Sequence, residues 1–420
     1  MDKMADVLGR AGAWCGQNKY LSAIKNAFQN FMPLTIAGAI GVLWCNVLVN
    51  ESTGLGIFFK PIMALDFLNP AFQAVNFCTI SCITVGITLG IAQEIGVWNM
   101  GAERAGYIPG LVGLAAWLSV TNTSHMVEGA KEAFTGIAGN ELGATGLFTG
   151  MIIGVLSVEL FCFFEKQDAL KIKMPEQVPP GVARAFEVLV PATITLIITA
   201  CIGSACYNLT GLYLNDVIKN GIQGPLGAVG ATIPGVMIIY LVIMLFWLVG
   251  IHGNNMLSAV KEALFTPLAL ENVEKFNKGE KPTNIINMYF LQMCGEFGGS
   301  GVTIGLVIAI MIFGKREDNK AIATLSLVPG LFNINETVTF GIPMVLNPIL
   351  GIPFVVAPLV TIIIGYVLTV IGFCPVACLT VPWTTPPIVF GFLACGANVM
   401  GAVTQAILIV VSTVIYVPFL

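Results

Sequence analysis

Residues Phe332–Gly341 read Phe-Asn-Ile-Asn-Glu-Thr-Val-Thr-Phe-Gly, and Glu336 within them is the single Asp or Glu side chain between Ala321 and Leu420. The same hundred residues contain no Lys, Arg or His. Between Ser326 and Pro358 the chain is punctuated by Pro329, Gly330, Gly341, Pro343, Pro348, Gly351, Pro353 and Pro358. A segment this apolar belongs in a bilayer, yet so many breakers prevent one straight helix. Irregular backbone at that depth is tolerated only where protein buries it or a watery cavity solvates it, so the stretch predicts re-entrant hairpins lining a substrate cavity. A lone acid there costs about 2.5–3.5 kcal/mol on insertion scales, which makes Glu336 a functional-site candidate.

Working outward, the composition agrees. The 420 residues are 56% hydrophobic and only 10% charged, with a mean hydropathy of +0.87. Soluble domains carry roughly 25% charged residues. The chain therefore reads as an all-α integral membrane protein. Apolar runs at Phe31–Val49, Val75–Ile91, Ile108–Val120, Gly143–Phe164, Val188–Cys206 and Thr232–Ile251 mostly approach the ~20 residues a crossing needs. With the broken second half they predict about ten transmembrane helices plus re-entrant hairpins and amphipathic surface helices.

Asp2, Asp6, Arg10, Lys19 and Lys25 interrupt the first thirty residues, which read as a surface-lying amphipathic lead-in rather than a signal peptide. Short cytoplasmic loops collect Lys and Arg. Cations fall at Lys3, Arg10, Lys19 and Lys25, at Arg104, at Lys166, Lys171, Lys173 and Arg184, and at Lys261, Lys275, Lys278 and Lys281. The intervening loops hold only Lys60, Lys131 and Lys219, an alternation that predicts a cytoplasmic N-terminus and six crossings before His252. A net charge of −4 without a basic stripe excludes a nucleic-acid partner. The eleven cysteines form no CxxC pair or Cys/His cluster, so no metal site and no cofactor is expected. Cys78 with Cys82 and Cys374 with Cys378 read as i,i+4 helical neighbours that pack as small apolar residues. The texture changes near residue 215, after a polar stretch from Glu165 to Glu187 that reads as a cytoplasmic surface helix or linker.

Three constellations carry chemistry. In Phe246–Asn255 an apolar helix runs into His252-Gly253-Asn254-Asn255, donors and acceptors suited to hydroxyls, with glycines that permit close backbone approach. The bland alternative is a helix C-cap with an interfacial histidine. Cys294–Thr303 is a glycine-rich turn opening an apolar helix. It resembles an anion cradle, but no Walker-type Lys follows, and a tight hairpin tip is equally compatible. Glu296 within it is a second acid of interest. In Phe332–Gly341, Asn335 is placed to cap a half-helix beginning at Glu336, whose positive end would offset the cost of a buried carboxylate.

At these residues the chain resembles the membrane IIC components of the bacterial phosphoenolpyruvate-dependent sugar phosphotransferase system, in the lactose/cellobiose/diacetylchitobiose group. Phe332–Phe354 is similar to that group's Asn-Glu-Pro, Phe-Gly, Asn-Pro signature, with Thr337 standing where the family has proline. Gly250–Gly253 and Gly298–Gly301 match as well, and weaker echoes at Phe28–Gly41, Gly143–Gly150 and Val178–Pro191 spread the resemblance over nearly the whole chain. It implies a homodimer in which residues 1–215 form the scaffold and dimer contact, and residues 216–420 bind sugar and move as an elevator-like unit. A β-linked disaccharide would enter from outside and be phosphorylated on its C6 hydroxyl by the phosphocysteine of a separate IIB protein, itself charged by IIA. The chain is not expected to be an enzyme: no cysteine sits in a phosphocysteine cradle, and His125 falls in an external loop.

Carried onto this sequence, the family's roles make Glu336 and His252 the catalytic pair. Asn254, Asn255, Asn333 and Asn335 become hydroxyl binders or hairpin supports, with Ser300, Glu296 and a ring-stacking Trp383 as further substrate contacts. An ion-coupled secondary transporter would use a lone membrane glutamate and broken helices too. A membrane enzyme on lipid-linked substrates would need more buried acids than the residues after 320 supply.

Overall fold

In the computed structural model, residues 9–10, 13–14, 16–51, 56, 59–125, 134–175, 177–342, 344, 347 and 349–420 are described. Residues 1–8, 11, 12 and 15 of the expected N-terminal lead-in, together with Lys131, Pro343 and Pro348, lie outside them. The described residues are predominantly helical. In order come α1 (Lys19–Leu43), α2 (Asn69–Asn76), α3 (Ile83–Met100), α4 (Ala102–Ala105), α5 (Ile108–Val120), α6 (Gly139–Leu142), α7 (Ala144–Glu165) and α8 (Pro180–Thr210). They are followed by α9 (Leu214–Ile218), α10 (Gly224–Gly230), α11 (Ile233–Leu248), α12 (Gly253–Met256), α13 (Ser258–Asn277) and α14 (Met288–Gly295). The last are α15 (Ile304–Phe313), α16 (Glu317–Leu331), α17 (Glu336–Gly341), α18 (Gly351–Val370), α19 (Val389–Ala394) and α20 (Val399–Tyr416). A two-residue antiparallel ladder pairs Ser124 with Thr135 and His125 with Phe134.

Among the described residues five helical segments are long and apolar enough to cross a bilayer: Lys19–Leu48, α7, α8, α18 and Val399–Phe419. Two broken pairs, Lys60–Ser81 with α3 and Met288–Val302 with α15, raise this to seven if each is one span. The apolar helices α5 and α11 are shorter, at 13 and 16 residues. Length and apolarity thus give five to seven spans among the described residues, set against the about ten crossings expected from the sequence.

Contacts group the chain into two compact units. The first contains Asn18–Thr35 and Phe77–Leu226, and the second contains Ile36–Asn76 and Gly227–Leu420 with the described residues up to 17. Residues 36–76 thus group with the C-terminal half, and the boundary falls near 226.

In the first unit α3, α5 and α7 pack on one another, and α5 also packs on α8. Lipid supplies no hydrophobic drive between helices, so close van der Waals approach has to hold them. A Cβ at Gly113 would sit 2.3 Å from that of Ala92, and one at Gly150 would sit 2.2 Å from Thr88 Oγ1. The Glu165–Glu187 stretch is a linker, not a surface helix: beyond a short 3-10 turn at Asp168–Leu170 it is irregular until α8 begins at Pro180. Charge ties its ends together. Glu165, 3% exposed, accepts from Arg104 and Arg184 at 2.9 Å each, and both arginines also reach Glu187, at 2.9 and 2.8 Å. Removing Glu165 would leave two guanidiniums sharing one carboxylate. Glu165→Ala should lower unfolding stability by on the order of 3 kcal/mol, measured by chemical denaturation of the purified protein in detergent.

Candidate sugar site

The site lies within the second unit, where three breaks converge. At the first, α11 ends at Leu248 and the chain turns through Gly250 (φ +81°) into the short α12. His252 occupies the N-cap of α12, and its Nδ1 accepts from the Asn255 N–H at 3.2 Å. With Nδ1 an acceptor, the imidazole is neutral and carries its proton on Nε2. Its ring lies tilted against the Trp247 indole, with centroids 4.5 Å apart and planes inclined at 48°. Trp247 in turn contacts Phe340 and Phe354, each at 6.4 Å.

The second break lies between α14 and α15, which meet at a bend of 57°. Its glycines are needed for two separate reasons. Gly298, Gly299 and Gly301 have φ of +70°, +89° and +77°, the left-handed region. They are also crowded: a Cβ on Gly299 would lie 2.6 Å from the Asn335 side chain, and one on Gly301 would lie 2.4 Å from the Phe354 ring. The turn is a hairpin tip held by side chains, with Thr303 Oγ1 donating to the Gly298 carbonyl at 2.7 Å and Tyr416 donating to that of Gly301 at 2.7 Å.

The third break separates α16 from α17. Asn333, at φ +62°, adopts a conformation that asparagine tolerates better than other side-chain-bearing residues. Its carboxamide is a three-way clasp: Oδ1 accepts from Gly298 N–H at 2.6 Å, while Nδ2 donates to the carbonyls of Trp383 at 2.5 Å and Thr385 at 3.1 Å. The helix starts at Glu336 as the sequence predicts, with Asn335 in the N-cap position, but the expected side-chain cap is absent. Asn335 Nδ2 donates instead to the Ser300 carbonyl at 2.7 Å, and the Asn335 carbonyl accepts from Thr339 N–H and Oγ1 at 2.9 and 2.8 Å. The buried amide has a carbonyl to satisfy on the hairpin opposite, and that requirement wins over capping.

These turns set His252 Nε2 4.0 Å from Glu336 Oε1, with the two side chains 37% and 49% exposed. That spacing is beyond a direct hydrogen bond. A hydroxyl placed between them can accept from Nε2–H and donate to the carboxylate. Beside the pair, Asn254 Nδ2 donates to Ser300 Oγ at 3.0 Å, while Asn254 Oδ1 is buried without a partner. Asn255 is exposed, its backbone committed to α12. Trp383 is 44% exposed and anchored through its carbonyl by Asn333. Further back, Gln405 Oε1 accepts from Ile388 and Gly391 N–H at 2.7 and 2.8 Å, and Nε2 donates to the Met293 carbonyl at 3.1 Å. It fixes the loop that Asn333 grips.

Two further sequence readings need correction. Lys261, counted among loop cations, lies buried on α13 and pairs with Glu296, while Tyr240 donates to the same carboxylate at 2.8 Å. Glu296 is thus neutralised by protein partners. The lysine is missed because Lys261-Glu262 and Glu271–Lys275 put charge at both ends of α13, and the segment reads as a cytoplasmic loop. Cys374 and Cys378 are not helical neighbours, because residues 371–388 are irregular. Cys374 Sγ lies 3.9 Å from Cys395 Sγ, a packing contact between free thiols.

Asn333→Ala removes three hydrogen bonds and places alanine at a left-handed φ. It should cost about 2–4 kcal/mol of unfolding free energy and weaken sugar binding, both measured on the purified chain by denaturation and calorimetry.

Likeness to known proteins identifies the family. The sequence model for the family described as Phosphotransferase system, EIIC matches residues 25–358. The chain is 33% identical to the PTS system oligo-beta-mannoside-specific EIIC component of Bacillus subtilis (strain 168), covering 100% of this chain and 93% of that one. It is 30% identical to the PTS system cellobiose-specific EIIC component of Lactococcus lactis subsp. lactis (strain IL1403), covering 99% and 96%. The crystal structure of the transporter ChbC, the IIC component from the N,N'-diacetylchitobiose-specific phosphotransferase system, superposes with a TM-score of 0.88 at 30% identity, covering 97% of this chain and 94% of that one. The ion-coupled and lipid-enzyme readings give way to this likeness, and the chain belongs to the EIIC family of phosphotransferase-system sugar permeases, integral membrane subunits that work with a IIB protein.

Proposed function

We propose that this chain takes up a β-linked disaccharide from outside the cell and presents its C6 hydroxyl, between His252 and Glu336, to a phosphocysteine of the IIB protein. The observation that carries this reading is the 4.0 Å separation of a neutral imidazole Nε2 and a carboxylate oxygen in a chain segment otherwise free of charge. The C6 hydroxyl accepts from His252 and donates to Glu336. When the phosphocysteine arrives, the hydroxyl oxygen forms a bond to phosphorus, the S–P bond breaks to leave a thiolate, and the hydroxyl proton passes to Glu336 as general base. Asn254 Oδ1 and the Trp383 indole receive other hydroxyls and a ring face. Asn333 and Asn335 hold the hairpins, while Ser300 bridges Asn254 to Asn335. Glu296, balanced by Lys261, supports the glycine turn.

The relatives named for an oligo-beta-mannoside, cellobiose and N,N'-diacetylchitobiose support a β-linked glycoside as substrate. The chain acts as a homodimer with its N-terminus in the cytoplasm, an orientation supported by where Lys and Arg fall. The N-terminal half serves as scaffold and dimer contact. The C-terminal half carries the sugar as an elevator-like unit.

The test is direct binding of a panel of β-linked disaccharides to the purified chain without IIB, with wild type set against Glu336→Gln. One sugar of the panel should bind, and the substitution should weaken it by at least about tenfold, the ~1.4 kcal/mol of one charge-assisted hydrogen bond. Equal affinity in both proteins would remove Glu336 from the site.

A further inference from the structure

Gln405 is the single carboxamide on α20, and it is buried at 1% exposure. It serves two helix ends at once. Oε1 accepts from the N–H groups of Ile388 and Gly391 at 2.7 and 2.8 Å, donors that the start of α19 leaves without a helical partner. Nε2 donates to the Met293 carbonyl at 3.1 Å, one of the last acceptors of α14, which that helix cannot satisfy itself. The end of α14 opens into the glycine turn, and the start of α19 closes the loop that carries Trp383. About three turns further along α20, Tyr416 grips the same glycine turn through the Gly301 carbonyl. Both segments are therefore referred to one helix.

The loop is held under strain. Ile388 has φ +77° and ψ −53°, where a β-branched residue is an outlier. Such a conformation persists only where its surroundings over-determine it, and it gathers at ligand sites. Here the bond from the Ile388 N–H to Gln405 holds it. At the other end Asn333 donates to the carbonyls of Trp383 and Thr385. Pro386 and Pro387 lie between the two clamps and fix their own φ, so they pass a shift at Ile388 on to Trp383. The Gln405 end has no slack, because α19 and α20 cross at glycines. A Cβ on Gly391 would lie 2.5 Å from the Gly401 carbonyl oxygen, and one on Gly401 would lie 2.2 Å from that of Gly391.

We infer that Gln405 is a positioning residue for sugar recognition: it holds the strained Trp383 loop at a fixed offset from the glycine turn, so that the indole stands in place for a sugar ring. This role rests on the reading of Trp383 as a ring-stacking contact. Buried and bonded at both heads, Gln405 acts through Trp383. The dependence is steep, because a gap of about 0.5–1 Å forfeits about a quarter to a half of a van der Waals well.

The experiment uses the purified full chain in detergent. Calorimetry gives the affinity of the disaccharide that binds best for wild type, Gln405→Leu, Trp383→Ala and the double variant, and hydrogen exchange read by mass spectrometry follows residues 383–391 without sugar. Gln405→Leu should weaken binding by about fivefold, the worth of one aromatic contact. On the Trp383→Ala background it should change affinity by less than about twofold, the non-additivity of residues that act as one. Exchange over residues 383–391 should quicken in Gln405→Leu. Gln405→Glu, whose neutral carboxyl keeps a carbonyl to accept and an O–H to donate, should bind within about twofold of wild type. Unchanged affinity in folded Gln405→Leu would overturn the inference by leaving Gln405 a purely structural role. Should that variant fail to fold, wild type decides: the Ile388–Gly391 amides should be protected before sugar is added, and rapid exchange there would overturn the clamp. No sugar bound by wild type would sink the uptake reading and this role with it. Sugar bound, but with losses that simply add, would sink this role alone.

Discussion

A chain that breaks its helices at membrane depth releases backbone N–H and C=O groups that no solvent can take up, and each must find a partner within the protein. The second unit depends on how that constraint is met. Asn333 supplies three of the partners at once, joining the glycine turn after α14, the turn before α17 and the loop at Trp383–Thr385. Asn335 adds a fourth by reaching the Ser300 carbonyl. Because these amides lock the hairpins to one another, the half-helix that begins at Glu336 has a fixed origin, and the carboxylate stands where the clasp puts it.

The same logic explains the division of labour among polar residues. Asn333, Asn335 and Gln405, with both a donor and an acceptor, serve the backbone. The acid and the histidine keep capacity for a ligand. Glu296 shows the contrast: sharing the glycine turn, its Oε1 is taken by Lys261 and Tyr240, whereas the Glu336 carboxylate lies 4.0 Å from a neutral imidazole, a separation one hydroxyl can bridge from the side. Trp247, tilted against His252 and neighboured by Phe340 and Phe354, packs beside the imidazole.

Much of this is legible in the amino-acid sequence. The absence of charge around Glu336, the crowd of Gly and Pro beside it and the His-Gly-Asn-Asn after α11 point to the segments that meet. The start of α17 at Glu336 follows from the sequence even without proline at Thr337. Partnerships across long separations stay hidden. An Asn-Ile-Asn run does not reveal that its first amide grips a loop fifty residues on, nor that the second forgoes its cap. Lys261 is hidden because a lysine beside Glu262 reads as a loop cation until tertiary contact buries it.

The central claim is that Glu336 and His252 together read one sugar hydroxyl, and a ligand-and-mutant cycle tests it most directly. Affinities of the preferred disaccharide and of its 6-deoxy analogue would be measured for wild type and for Glu336→Gln. If the C6 hydroxyl occupies the gap, the analogue binds wild type more weakly than the parent, but the variant binds both alike, with a coupling of about 1 kcal/mol or more. If the two losses simply add, the carboxylate and that hydroxyl do not meet, and the account of the site is wrong.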